Sequence, residues 1–144
     1  MKTLPNRFVF EEAEAILRRG GTVKLRLVGN SMFPFLRGGC DTVVIVPVST
    51  KALRRGSVVL FRYRGEYLLH RITGHCGGLF RLCGDGVCGP GETAPAADIC
   101  GLLLRVERPG GSIISCRSFR WRLSSAVWML LRPVRRYVLA IFFR

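Results

Sequence analysis

The residue that could act as a nucleophile is Ser31, the only hydroxyl in the apolar segment VGNSMFPFL from Val28 to Leu36. A serine hydroxyl is a poor nucleophile until a base removes its proton. The chain has two histidines and three lysines, so few bases are available. His75 lies in a predicted loop, whereas His70 ends an apolar strand in YLLHRI, where its ring would be held and shielded from water. The residues alone allow a Ser31–His70 pair, or an inert turn serine and a structural histidine.

Short strands must position these residues. Alternating apolar and charged residues in TVKLRLVG predict a strand with one solvated face. DTVVIVPV, GLFRLCGDG and ICGLLLRVERPGG predict further strands, and SVVLFRYRGEYLLHRITG predicts two strands joined by a hairpin at Arg64–Gly65–Glu66. The sequence therefore predicts a mainly β domain.

Helices are predicted at both ends of this domain. RFVFEEAEAILRRGG indicates a first helix that ends at Gly20 and Gly21. Its apolar face combines Phe8, Ala13, Ile16 and Leu17. The predicted division is an N-terminal helix over 1–21, a β domain over 22–117 and an Arg- and Trp-rich helical tail over 118–144.

The tail, SFRWRLSSAVWMLLRPVRRYVLAIFFR, predicts two helical segments separated at Pro133. The first places four apolar side chains roughly on one face: Trp121, Val127, Trp128 and Leu131. Arginine mixed with Trp, Phe and Leu is typical of a helix lying in a membrane interface. Packing of both helices on the edge of the β domain explains the same pattern, so both interpretations stay open.

Composition favours one domain of 144 residues with a core that needs no disulfides. The net charge of +14 favours an anionic partner, either a membrane surface or nucleic acid, although a solvated basic surface fits as well. Acidic residues at Glu11, Glu12 and Glu14 exclude a secretory signal, and no apolar run is long enough to span a bilayer. We therefore expect a cytoplasmic protein with reduced thiols, peripheral on the inner membrane face if the tail binds lipid.

The cysteines do not predict a metal site. Their spacing is irregular and includes no C-x-x-C pair. The six residues are Cys40, Cys76, Cys83, Cys88, Cys100 and Cys116. No metal and no other cofactor is predicted.

Four segments in this order, GNSMFPFLRGG, GSVVLFRYRGEYLLHRI, LFRLCGDG and ICGLLLRV, resemble the type I signal peptidase superfamily, which includes the self-cleaving SOS repressors. The resemblance covers about Thr22 to Val106. Ser31 falls in the Ser-Met-x-Pro motif of the nucleophile. Gly56 to Phe61 matches the strand that leads to the base, with Ser57 where aspartate is usual. YLLHRI is similar to the histidine branch, found in endoplasmic-reticulum and archaeal-type signal peptidases, here without the N-terminal transmembrane anchor.

This resemblance implies a serine peptidase in which Ser31 is the nucleophile, His70 the base and Asp85 the acid that orients the imidazole. The Ser31 backbone N–H would stabilise the oxyanion, and Asn30 is a candidate second donor. Met32 and Pro34 would shape the substrate floor and the turn that exposes Ser31. The substrate would be a peptide or the leader of a precursor, added to a strand edge.

The alternative is an inactive binding module of the same fold, whose basic surface and tail bind an anionic membrane or nucleic acid. A DNA-binding helix-turn-helix has no room in the roughly 20 residues before the β domain, so nucleic acid is the less favoured partner.

Overall fold

A computed structural model describes residues 6–27, 29, 31–49, 52–87 and 90–142. It has the predicted mainly β fold, with a helix before the sheet and helices after it. The helices are α1 (Asn6–Arg18), α2 (Phe119–Leu130) and α3 (Arg135–Phe142). The strands are β1 (Val23–Arg26), β2 (Thr42–Val46), β3 (Val58–Tyr63), β4 (Glu66–Cys76), β5 (Leu79–Cys83), β6 (Glu92–Pro95), β7 (Ile99–Glu107) and β8 (Ile113–Ser115).

The strands form one antiparallel sheet in the order β1-β2-β7-β3-β4-β5-β6, and β8 pairs with β7. The hairpin predicted between β3 and β4 is confirmed, and its central residues Arg64 and Gly65 have φ angles of 51° and 80°. Two positive φ values are what a tight hairpin turn of type I′ requires. β6 and β8 were not predicted, because neither has a clear apolar alternation.

Both faces of the sheet are apolar, because successive residues of β3 point to opposite sides. Val58 and Leu60 enter a core cluster with α1, β1 and β2, whereas Val59 and Phe61 enter a second cluster with residues of β4 and β5. The strands that carry and support the candidate site are therefore packed on both sides.

The predicted apolar face of α1 is correct for Ala13 and Leu17, which are buried, and for Ile16, which is partly buried. It is wrong for Phe8, which is 64% exposed. Phe8 lies five positions before Ala13, and at about 100° per residue it points away from the buried face. Phe10 packs against the core instead.

The tail forms the two predicted helices, joined by a 3₁₀ turn at Arg132–Val134 that contains Pro133. The Ser118 hydroxyl caps α2 by accepting from the Trp121 N–H at 3.2 Å. Trp121 and Trp128 are buried, but Val127, predicted on the same face, is 47% exposed. No helix within the described residues has the length and apolar character needed to cross a membrane.

Candidate active site

Ser31 opens a turn over residues 31–36, called here the nucleophile turn. The Leu36 N–H donates to the Met32 carbonyl at 3.0 Å, and the Gly39 N–H donates to the Leu27 carbonyl at 2.8 Å, which closes the loop onto the end of β1. Ser31 itself is exposed, whereas Met32 beside it is only 1% exposed. The turn therefore presents its serine outward while its next side chain is anchored in the core.

The segment after β5, residues 84–87, holds this turn in place and is called here the site loop. The Gly86 N–H donates to the Ser31 carbonyl at 2.8 Å. The Asp85 N–H lies 3.4 Å from the Met32 sulfur. Ser31 thus owes its position to residues more than fifty positions later in the chain.

Glycine at position 84 is required by close approach. A Cβ atom there would lie 3.0 Å from His70 Nε2 and closer still to the Ser31 carbonyl oxygen. The position that a Cβ atom on residue 84 would occupy therefore adjoins both the Ser31 backbone and the His70 imidazole. Any larger residue would push the predicted nucleophile and the predicted base apart.

His70 lies on β4 and is 4% exposed, with its ring centroid 5.9 Å from that of Phe61. Its Nδ1 lies 2.8 Å from Oε1 of Glu92. Because an ionised carboxylate can only accept, Nδ1–H is the donor in this contact, and in the neutral imidazole Nε2 is then the nitrogen that can accept a proton. Nε2 is the nitrogen that adjoins Gly84 and the Ser31 backbone.

Glu92 reaches His70 because β6 pairs with β5 and sets Glu92 opposite Leu82. Its side chain is 17% exposed. Sequence reasoning assigned this role to Asp85 and not to Glu92. The usable signal was that Glu92 is the first carboxylate after Asp85, but the strand that delivers it was not predicted.

The prediction that Asp85 orients the imidazole is corrected by this geometry. Asp85 is bound by Arg71 through two hydrogen bonds, from Nε at 2.9 Å and from Nη2 at 2.7 Å, and each side chain is 1% exposed. Arg71 follows His70 on β4, so the two side chains point to opposite faces of the strand. The Asp85 carboxylate, which Arg71 binds, therefore lies on the face of β4 opposite to His70 Nδ1.

Arg71 also ties the site loop to other parts of the molecule. It donates to the Gly56 carbonyl at 2.9 Å, and its guanidinium lies 4.7 Å from the Phe35 ring centroid and 5.7 Å from that of Trp121. A buried arginine satisfied by a carboxylate, a carbonyl and two aromatic faces fixes the relative positions of all four.

The tail braces the site loop directly. Trp128 Nε1 donates to the Asp85 carbonyl at 3.1 Å. Arg135, 3% exposed, donates to the Gly84 carbonyl at 3.5 Å and stacks 5.2 Å from the Trp128 ring centroid. The helices of the tail are therefore part of the support of the candidate site.

The three residues predicted for the oxyanion hole and substrate floor have different outcomes. Asn30 lies outside the described residues. Met32 is buried, so its thioether supports the turn from within the core and does not form a substrate floor. Pro34 is partly buried and follows a cis Phe33–Pro34 bond.

The region around the site contains a thiol but no metal cluster. Burial raises the pKa of the Cys83 thiol, which lies at the end of β5. Within the described residues, no group of three His, Cys, Asp or Glu side chains could hold a metal ion. A cleft of about 730 Å³ lies between α2 and the sheet and is not lined by Ser31, His70 or Glu92.

No protein-family model matches this chain, and no curated protein sequence has significant similarity to it. The chemistry of the site must therefore be argued from its geometry. That geometry combines an exposed serine, a buried histidine whose free nitrogen faces the serine's turn, and a carboxylate on the other nitrogen. These are the residue types that nucleophilic serine catalysis requires.

Proposed function

We propose that the chain is a serine endopeptidase in which Ser31 is the nucleophile, His70 the general base and Glu92 the carboxylate that orients the base. The observation that carries the proposal is the 2.8 Å contact between His70 Nδ1 and Glu92 Oε1 on an imidazole whose Nε2 adjoins the nucleophile turn. The order of sequence segments similar to signal peptidases supports hydrolysis of a peptide as the reaction.

In the proposed first step, His70 Nε2 takes the Ser31 hydroxyl proton while Ser31 Oγ attacks the scissile carbonyl carbon. The tetrahedral intermediate collapses when the C–N bond breaks and His70 gives its proton to the leaving amine. This leaves an ester between Ser31 and the acyl part of the substrate. Water then attacks the ester, His70 accepts a proton from that water, and the carboxylic product leaves as Ser31 recovers its proton.

Glu92 accepts the hydrogen bond from His70 Nδ1–H throughout these steps and does not take the proton. It holds the imidazole with Nε2 toward Ser31 and stabilises the positive charge that His70 gains. Asp85 contributes by holding the site loop through Arg71, so its effect on the reaction is indirect.

The test uses a fluorophosphonate probe, which reacts with activated serines and needs no knowledge of the substrate. We expect the full chain to be labelled at Ser31, located by peptide mass spectrometry. Ser31→Ala should abolish the labelling, and His70→Ala should slow it by roughly a hundredfold or more, the usual contribution of a general base.

His75→Ala is the matched control, since His75 is exposed and stacks on Phe80 far along β4. This variant should be labelled at the wild-type rate. Labelling that survives Ser31→Ala, or a folded wild-type chain that is not labelled at all, would contradict the proposal.

A further inference from the structure

Helix α2 is apolar on two opposite sides. Trp121, Ser125 and Trp128 face the β domain and are buried. The opposite side carries a row of exposed side chains at helical spacing: Phe119 (77% exposed), Leu123 (51%), Val127 (47%) and Leu130 (77%). Packing on the β domain explains the apolar side chains of the inward side. It does not explain the exposed apolar row on the outward side.

Further large apolar side chains are exposed after α2. Val134, Tyr137 and Ile141 are 44%, 61% and 73% exposed. Seven of the eleven exposed large apolar side chains in the described part of the chain thus lie between 119 and 141, which concentrates them on the tail. These seven side chains are called here the tail face. Large exposed apolar patches with polar rims mark interaction surfaces.

The charges around the tail face have one sign. No acidic residue follows Glu107, and residues 108–144 include eight arginines. Arg120 and Arg122, both exposed, fall on either side of the outward row of α2, and Arg132 and Arg136 are exposed farther along. A cationic rim around an apolar stripe fits a partner that offers both anions and hydrocarbon.

Two other occupants fit less well. A symmetric dimer would bring the same patch of each copy together and so place arginines against arginines. Nucleic acid would neutralise the arginines but would leave Leu123 and Leu130 in water. We propose that the tail face docks on the surface of an anionic lipid bilayer, with its apolar row at the acyl boundary and its arginines at the headgroups.

This inference is independent of the proposed peptidase activity, because it rests on the outward side of α2 while the candidate site contacts the inward side through Trp128. Docking would hold the site loop near the membrane surface. Peptides that emerge at that surface would then be the accessible substrates if the peptidase proposal also holds.

The test is flotation of the full-length protein with vesicles of phosphatidylcholine alone or of phosphatidylcholine with one third phosphatidylglycerol. We expect binding to the anionic vesicles that weakens as salt rises, and little binding to the neutral ones. Leu123→Ser/Leu130→Ser should reduce binding by roughly tenfold or more, because both side chains would lose apolar contact. Arg120→Gln/Arg122→Gln should weaken binding and flatten its salt dependence.

Ile113→Ser and Arg64→Gln are matched controls, as both residues are exposed outside the tail face. Both should bind like the wild type, and all variants should share its unfolding midpoint. Equal binding by tail-face and control variants would overturn the proposal, as would failure of the wild type to bind anionic vesicles. If the wild type does not bind vesicles, two results would identify the occupant that replaces the bilayer. A dimer dispersed by the leucine changes would indicate a second copy of the chain, and oligonucleotide binding sensitive only to the arginine changes would indicate nucleic acid.

Discussion

Glu92 and Asp85 are both carboxylates close to His70 in the fold, but their oxygens have different partners. Glu92 offers Oε1 to His70 Nδ1, whereas both oxygens of Asp85 are bound by Arg71. The two residues should therefore respond differently to substitution. One should affect the reaction rate, and the other should affect mainly stability.

At the residue scale, we predict that Glu92→Gln slows probe labelling of Ser31 by at least tenfold without unfolding the protein. The amide can present its NH₂ group to Nδ1 and so favour the tautomer that carries its proton on Nε2. An isosteric amide in a comparable triad costs up to about 10⁴-fold. Glu92→Asp, which keeps the charge, should label faster than Glu92→Gln. Wild-type labelling of Glu92→Gln would show that the contact has no part in catalysis.

Ser31 and His70 could be singled out from the sequence because each sits in a short segment with its own signal. Glu92 could not be preferred to Asp85, since a carboxylate in GPGETAP has no local pattern and reaches His70 only through strand pairing across β5. The Asp85 prediction failed for a related reason: the sequence shows that Arg71 follows His70, but not which carboxylate that arginine binds.

At the scale of elements, the Arg71–Asp85 pair joins β4 to the site loop in a buried environment. We predict that Asp85→Ala lowers the free energy of unfolding by about 3–5 kcal/mol, because it leaves the Arg71 charge buried and unpaired. Arg71→Met/Asp85→Leu should recover much of that loss, since an apolar pair avoids the uncompensated charge. Urea denaturation of the wild type and these two variants measures both effects. Unchanged stability of Asp85→Ala would contradict this account of its role.

Most elements were predictable because their residues follow the periodicity of two or of 3.6 over a sufficient length. β6 was not predicted as a strand because ETAP has one β-branched residue and a proline, and because its pairing depends on distant residues. The tail helices were predictable as helices, but not the side that they bury. Trp128 donates a hydrogen bond to the site loop, and no local sequence pattern predicts that contact.

At the scale of the whole molecule, partly buried thiols make the free energy of unfolding depend on pH in the alkaline range. Burial raises the pKa of Cys116 to about 12, and burial with the nearby Glu14 charge raises that of Cys100 to about 12. These pKa values exceed the unfolded value of 9.0. The resulting stabilisation is therefore complete below about pH 9 and is lost as pH rises from there toward 12.

We predict that the free energy of unfolding falls with pH in this interval, with each such thiol contributing up to about 1.4 kcal/mol per pH unit. Cys116→Ala should make the slope shallower, whereas Cys76→Ala, at an exposed thiol, should leave it unchanged. Chemical denaturation at several pH values between 8 and 11, under reducing conditions, provides the slopes. Equal slopes for wild type and Cys116→Ala would contradict the prediction.

The contacts of Trp128 and Arg135 with the site loop also have a consequence for the order of events during synthesis. Translation proceeds from the N-terminus, so Ser31, His70 and Glu92 leave the ribosome before the helices that brace the loop between them. The site loop can be fully braced only after Trp128 and Arg135 have been synthesised. The proposed peptidase would therefore lack its full support in any nascent chain that has not yet reached residue 135.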